Sequence, residues 1–368
     1  MSEGITRMKY SIRLATLALC LAAGLTQGAA IGSAQTKAAD IALLKGPDRE
    51  RTLLAGAEKE GKVVLYSAMI VNQALRPLVD AFKKKYPKVD LEFWRADTSD
   101  ILQKVLTERR ANAQLVDVVE WGGGTSLAIK AGVVQPFLSA YKDAYPAGHY
   151  DAEGRYAATR LSYYGLAYNT KLVSDAAVPK TYDDLLDPKW KGKIAWAISE
   201  SGHVLFLVHI LMTMGDKADG YLARLGRQDI VPYTGSARAL VDRVGQGEYP
   251  LALHIFAHHP LISKAMGAPL DVQMLPPIPS DFSAVQVIKD APHPHAAMLL
   301  VDYLLSEDGQ NILKAADYLP SLPKVDPPDS LRKIVPRLNG APENVIPALT
   351  FLDKREAALE MYKKHFDK

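Results

Sequence analysis

Short apolar runs alternate along this chain with longer amphipathic stretches, and glycine, proline or a polar turn punctuates each change. Lys62-Val-Val-Leu-Tyr-Ser67 reads as a buried parallel strand, preceded by a charged helix from Asp48 to Lys59 that Gly61 stops. Leu75 to Tyr86 sets Leu78, Val79 and Phe82 on one helical face, and Pro87 ends it. Val89 to Trp94 alternates as a strand, Ile101 to Arg110 is helical, and Val116 to Trp121 is a third strand. Gly122-Gly-Gly-Thr-Ser126 then turns into a short helix closed by Gly132.

Arg160-Leu-Ser-Tyr-Tyr-Gly-Leu-Ala-Tyr-Asn169 is a strand with no charge after Arg160, and Asn169-Thr170 closes it. Strand-then-helix units lie on both sides of it. It is therefore expected to bridge two α/β lobes, with Tyr163 and Tyr164 at the junction and facing opposite ways. Beyond it come strand Ile194 to Ile198, helix His203 to Met214, strand Ile230 to Tyr233, helix Ala237 to Val244 and strand Leu251 to Phe256. Val272 to Ile278, with Pro276 and Pro277 inside it and Pro279 just beyond, reads as a crossover back to the first lobe. Ser283 to Lys289 is a strand, Ala296 to Leu305 a core helix, and the tail from Pro327 polar and helical. Alternation of this kind predicts mostly parallel sheets flanked by helices.

A chain of 368 residues, 48% hydrophobic and 23% charged, is long enough for two such lobes. Arg7, Lys9 and Arg13 precede an apolar run from Leu14 to Gly24 too short to span a bilayer, and small residues follow at Gly28 to Ala30 and Gly32 to Ala34. This is the pattern of an export signal over residues 1–34, leaving a mature N-terminus at Ile31 or Gln35. The expected division is then 41–162 for the first part of lobe 1 and 163–275 for lobe 2. Residues 276–368 supply the return crossover, the rest of lobe 1 and C-terminal helices. Cys20, the one cysteine, lies inside the signal, so disulfides, thiolate metal sites and cysteine catalysis are excluded from the mature chain. The signal carries three basic residues and one acidic one, so the 44 Lys+Arg and 41 Asp+Glu become 41 and 40 after cleavage. That balance points away from nucleic acid and charged membrane surfaces.

Candidate chemistry gathers where strands end. Ser67-Ala68, Arg95 to Ser99, Gly122 to Ser126, Ser199 to Gly202 and Thr234 to Ser236 are polar turns opening helices. In open α/β sheets ligands bind outside the carboxyl ends of strands. The expected ligand-binding set is Ser67, Arg95, Trp121, Thr125, Tyr163, Tyr164, Ser199, Ser201, Tyr233, Ser236, Phe256 and His258. Arg95 serves in it as a clamp on an anion, and the tyrosines and tryptophan as walls. His254, His258 and His259 are the set to consider if a metal is bound. Phosphate-loop, dinucleotide and nucleophile-elbow motifs are absent, and Ser139-Ala-Tyr-Lys142 has no companion motif, so no catalytic residue is expected.

The mature chain resembles the periplasmic solute-binding proteins of ABC importers, in their ferric-iron-binding branch. The resemblance rests on Gly61-Lys-Val-Val-Leu-Tyr-Ser67, Tyr168-Asn169, Thr181 to Lys193 with its Asp-Pro-Lys-Trp-Lys-Gly core, Gly247-Glu248, Leu304 to Gln310 and Tyr318-Leu-Pro320. It implies the two-lobed type II binding-protein fold, a small-molecule or ion ligand, an ABC permease in the inner membrane as partner, and a periplasmic location. It implies no cofactor and no catalysis, and the protein is expected to act as a monomer. Iron binders of this branch carry an adjacent tyrosine pair shortly after the Gly-Glu pair, and the positions counted for it here hold Ala257 and His258. The expected solute is therefore a small organic or oxyanion-bearing molecule held by its anionic end, with Fe³⁺ or another metal ion as the alternative. A secreted hydrolase and a sensor's ligand-binding domain are the rivals from other classes.

Overall fold

The structure, a computed structural model, describes residues 38–367, so the export signal expected over 1–34 lies outside the described residues. Twelve strands make up its sheet: β1 (Lys62–Ser67), β2 (Asp90–Arg95), β3 (Val118–Trp121), β4 (Val134–Gln135), β5 (Ala157–Asn169), β6 (Ile194–Ala197), β7 (Val231–Tyr233), β8 (Leu251–Phe256), β9 (Leu270–Gln273), β10 (Ile278–Ile288), β11 (Leu319–Pro320) and β12 (Glu343–Val345). Their main path runs β2-β1-β3-β10-β5-β8-β6-β7. β1 pairs in parallel with β2 and β3, and β6 in parallel with β7 and β8. The antiparallel pairings involve β5 and β10. Each lobe is thus a parallel βα unit closed by crossover strands. Apolar runs such as Ile194–Ala197, buried at every position, become strands because both sheet faces are covered.

The helices fall where apolar spacing sets them. Arg49–Glu60 ends at Gly61, whose left-handed backbone (φ 76°) lets its N–H donate to Ala57 O; a side chain there would be strained. Arg76–Lys85, Thr98–Arg110 and Pro294–Leu305 cover the first lobe, with Leu53, Leu65, Phe82, Val118 and Leu300 in its core. The second lobe packs Leu166, Trp196, Phe206, Leu222 and Leu253. Its core also takes Ile346 and Ala358, with Phe351, Tyr362 and Phe366 packed against it, from β12's end and the helix Ala348–His365. The Trp196 and Phe366 rings lie 4.7 Å apart between centroids.

β5 is the strand the lobes share. Its first half pairs with β10, ending at Tyr163 opposite Ser280, and its second half pairs with β8, starting at Tyr164 opposite Phe256. The change of partner falls between the two tyrosines expected at the junction. The chain returns between β9 and β10 through Met274 to Pro277, in the proline-rich stretch expected to cross over.

Two expectations need correcting. β10 starts at Ile278 rather than Ser283, because its ladder bypasses Pro279: Ile278 N–H donates to Pro342 O and Ile346 N–H to Ser280 O. The tail is also not wholly helical. β12 lies between the helices Pro336–Asn339 and Ala348–His365, a strand of three residues too short to show alternation.

Candidate functional site

A cavity of about 640 Å³ lies over β5 and β10, where the two lobes meet. Antiparallel register puts Asp281 opposite Ser162 and Ser283 opposite Arg160, so period two gathers four polar side chains on neighbouring strands. All four line the cavity. The first lobe adds Gly122, Gly123, Thr125 and Ser126 after β3. The second adds Ser199, Ser201 and Leu205 after β6, and Phe256, His258 and His259 at the end of β8. Asp317, Tyr318, Ile346, Ala348 and Phe351 add to the wall.

Arg160 is held rigidly. Its Nε donates to Glu120 Oε1 at 3.1 Å, and its guanidinium lies 4.6 Å from the centre of the Tyr318 ring. Glu120 is fully buried and accepts two further bonds, from Ser67 Oγ and Thr159 Oγ1, both 2.9 Å. Burial works against the Arg160 charge, but Glu120 outweighs it and the net shift is upward. The two Nη groups make no hydrogen bond among the described residues, and they remain to hold a ligand.

Asp281 lies two register pairs along from Arg160, on the same face of the sheet. Tyr164 Oη donates to its Oδ2 at 3.1 Å. Burial pushes its carboxyl up to about 6, against hydrogen bonds from Tyr164 and Ser162 and the charge of Arg160. A carboxyl raised above its unfolded value of 3.8 contributes stability that is complete below pH 3.8 and lost as pH rises through about 6. The fall should amount to roughly 2–3 kcal/mol. Asp281→Asn is expected to remove that part of the slope, which urea denaturation across this pH range measures; an unchanged slope would place the titration elsewhere.

The histidines are neutral near pH 7. Burial, then the charges of Arg238 and Arg160, lower His258 to about 4. Burial, His258 and Arg238 lower His259 to about 3. His254 points elsewhere: its ring stacks on Tyr164 at 4.3 Å, and burial keeps it well below the usual imidazole value. Among the described residues no three His, Cys, Asp or Glu side chains converge on a metal position. The set His254, His258 and His259 therefore forms no centre here.

Of the expected ligand-binding residues the cavity brings together Thr125, Ser199, Ser201, Phe256 and His258. Ser199 is primed to donate: its Oγ already accepts the Gly202 N–H at 3.1 Å, which leaves its proton for a ligand. Gly202 belongs to an irregular turn, where a Cβ would lie 2.2 Å from Ala197 O. The others lie outside the lining. Arg95 ends the outermost strand, half-exposed, and pairs with Asp97 at 3.3 Å. Ser67 is buried against Glu120, and Trp121 is buried with its Nε1 donating to Gln286 at 2.9 Å. Tyr163 and Tyr164 are core residues. Tyr233 hydrogen-bonds Arg243, and Ser236 caps its helix by accepting the Ala239 N–H. Sequence reasoning missed Arg160, Ser162, Asp281 and Ser283 as site residues. The alternation of polar with apolar residues in Arg160-Leu-Ser162 and Asp281-Phe-Ser283 was the available signal.

Comparison with known proteins bears on both fold and function. An uncharacterised Haemophilus influenzae protein is 27% identical over 280 residues, covering 70% of this chain and 76% of that one. The Trichodesmium protein FutA, solved with iron and citrate, superposes with a TM-score of 0.72 at 20% identity, over 83% of this chain and 99% of that one. AfuA from Actinobacillus pleuropneumoniae, solved with fructose-6-phosphate, gives 0.64 at 21% identity, over 83% and 99%. These likenesses show the two-lobed type II periplasmic-binding-protein fold. The model of the bacterial extracellular solute-binding protein family matches residues 125–337, a span that holds both polar strands of the cavity floor. With more than half of its length matched, this chain belongs to the bacterial extracellular solute-binding protein family, and it is a solute-binding protein.

Proposed function

We propose that this protein is the periplasmic receptor of an ABC importer, exported by the signal in residues 1–34, and that it takes a small organic anion between its lobes and hands it to a membrane permease. Residues 41–162 and 276–368 form most of the first lobe and 163–275 the second, and the chain between Tyr163 and Tyr164 serves as part of the hinge. The observation that carries the ligand reading is Arg160, a guanidinium fixed through its Nε and lining a cavity far larger than a bare ion requires. Thr125 on one side and Ser199 and Ser201 on the other would contact the same ligand only when the lobes are closed, so binding favours closure. No step of this mechanism makes or breaks a covalent bond.

Native mass spectrometry of protein taken from its own periplasm should find an organic anion bound. Arg160→Lys keeps the charge but loses the planar fork, and should weaken that ligand by about 1.5–3 kcal/mol in calorimetric titration. Unchanged affinity, or a co-purified metal ion with no organic anion, would overturn the reading.

A further inference from the structure

We propose that the solute is amphoteric: a small organic acid whose anionic group lies on Arg160 and whose protonated amine lies on Asp281, with its carbon skeleton against Leu205, Phe256 and Phe351. The inference rests on the anion reading above and narrows it.

The charges of the lining favour it. Arg160 is the single permanent cation there, and it is already paired with Glu120. Two carboxylates share the lining, Asp281 and the exposed Asp317. Asp281 feels the charge of Arg160 but accepts its hydrogen bonds from the neutral hydroxyls of Tyr164 and Ser162, and among the described residues no Lys, Arg or His forms an ion pair with it. A simple acid placed on Arg160 would meet this carboxylate nearby. An amine on the same ligand turns that repulsion into attraction.

The spacing suits one small molecule. Asp281 faces Ser162 and Ser283 faces Arg160, so the two charged residues are diagonal neighbours, roughly 7–8 Å apart where their side chains leave the strands. An acid and an amine separated by a few bonds span that gap once both side chains reach toward the ligand. Part of the remaining wall is apolar. Leu205 and Phe256 come from the second lobe, and Phe351 comes from the helix Ala348–His365, which begins after the segment matched by the family model ends at residue 337. A carbon skeleton held there leaves water, which contributes favourably in proportion to its area.

The test titrates the full chain with three matched sets near neutral pH: L-phenylalanine, β-alanine and 4-aminobutyrate; their des-amino acids 3-phenylpropionate, propionate and butyrate; and the amines phenethylamine, ethylamine and propylamine. At least one amino acid should bind about tenfold more tightly than its des-amino counterpart, the scale of one charged hydrogen bond. Asp281→Asn should abolish that advantage, with thermal unfolding showing that the variant is folded. The advantage should also shrink as pH falls below about 6, where Asp281 is protonated. His258 and His259 titrate lower, at about 4 and about 3, and do not mimic this change. If no amino acid exceeds its des-amino counterpart, or Asp281→Asn keeps the advantage, the inference fails while binding of the acids preserves the anion reading. If the simple amines bind as tightly as the amino acids, both fail.

Discussion

Arg160→Met is expected to cost about 3–5 kcal/mol of folding stability in addition to ligand binding, because it strands a buried charge. Glu120 has no exposed surface, and among the described residues Arg160 is its one cationic partner; its other side-chain bonds come from the hydroxyls of Ser67 and Thr159. Methionine fills much of the arginine's volume, so lost packing contributes little and the uncompensated carboxylate dominates. Adding Glu120→Gln should recover a large part of the loss without restoring the ligand. Urea denaturation of the two variants beside the wild type measures both effects. A single variant as stable as the wild type would mean that Glu120 takes up a proton at little cost.

Asp117→Ala should be comparably damaging, at about 3–5 kcal/mol, although it lies outside the cavity. The Asp117 carboxylate is fully buried and accepts from Val64 N–H at 2.8 Å, His293 N–H at 2.8 Å and the His293 ring at 2.9 Å. It thereby joins β1 to the start of helix Pro294–Leu305. Alanine leaves two buried backbone donors without acceptors. The hydrogen bond to Asp117 raises the His293 pKa against the effect of burial. A raised histidine contributes stability that is complete below its unfolded value of 6.5 and lost as pH rises through its folded value. The wild type should therefore lose some stability on the alkaline side of neutrality, and Asp117→Ala should lack that component. Equal stability of variant and wild type would show that water can replace the carboxylate.

Much of the architecture was legible because it is local. Apolar runs, capping glycines and Pro87 located the strands and helices to within a few residues, and the uncharged stretch after Arg160 marked the shared strand. The site was half legible, for a reason that lies in strand order. Turns that follow strands can be read from sequence, but the place of each strand in the sheet cannot. Arg95 ends β2 and Ser236 follows β7, and these strands are the two outer ends of the path, remote from the middle where the cavity lies. Thr125, Ser199, Phe256 and His258 follow or end β3, β6 and β8, nearer the centre, and they reach it. Arg160 and Asp281 escaped notice because they lie within crossover strands rather than at strand ends. They lie far apart in sequence, and only the pairing of β5 with β10 makes one polar floor of them.

The second lobe's core is not contiguous in the chain. Its strands are complete once β9 has formed, yet Ile346, Phe351, Ala358 and Tyr362 arrive only after β10 and helix Pro294–Leu305 have been made. During N-to-C synthesis the lobe is therefore made for a time without the Tyr362 and Phe366 rings that pack on Trp196, and its core is completed only when the later segment docks. If the chain is exported as proposed, a late-completed lobe is an advantage, because the order of synthesis holds back its folding before translocation.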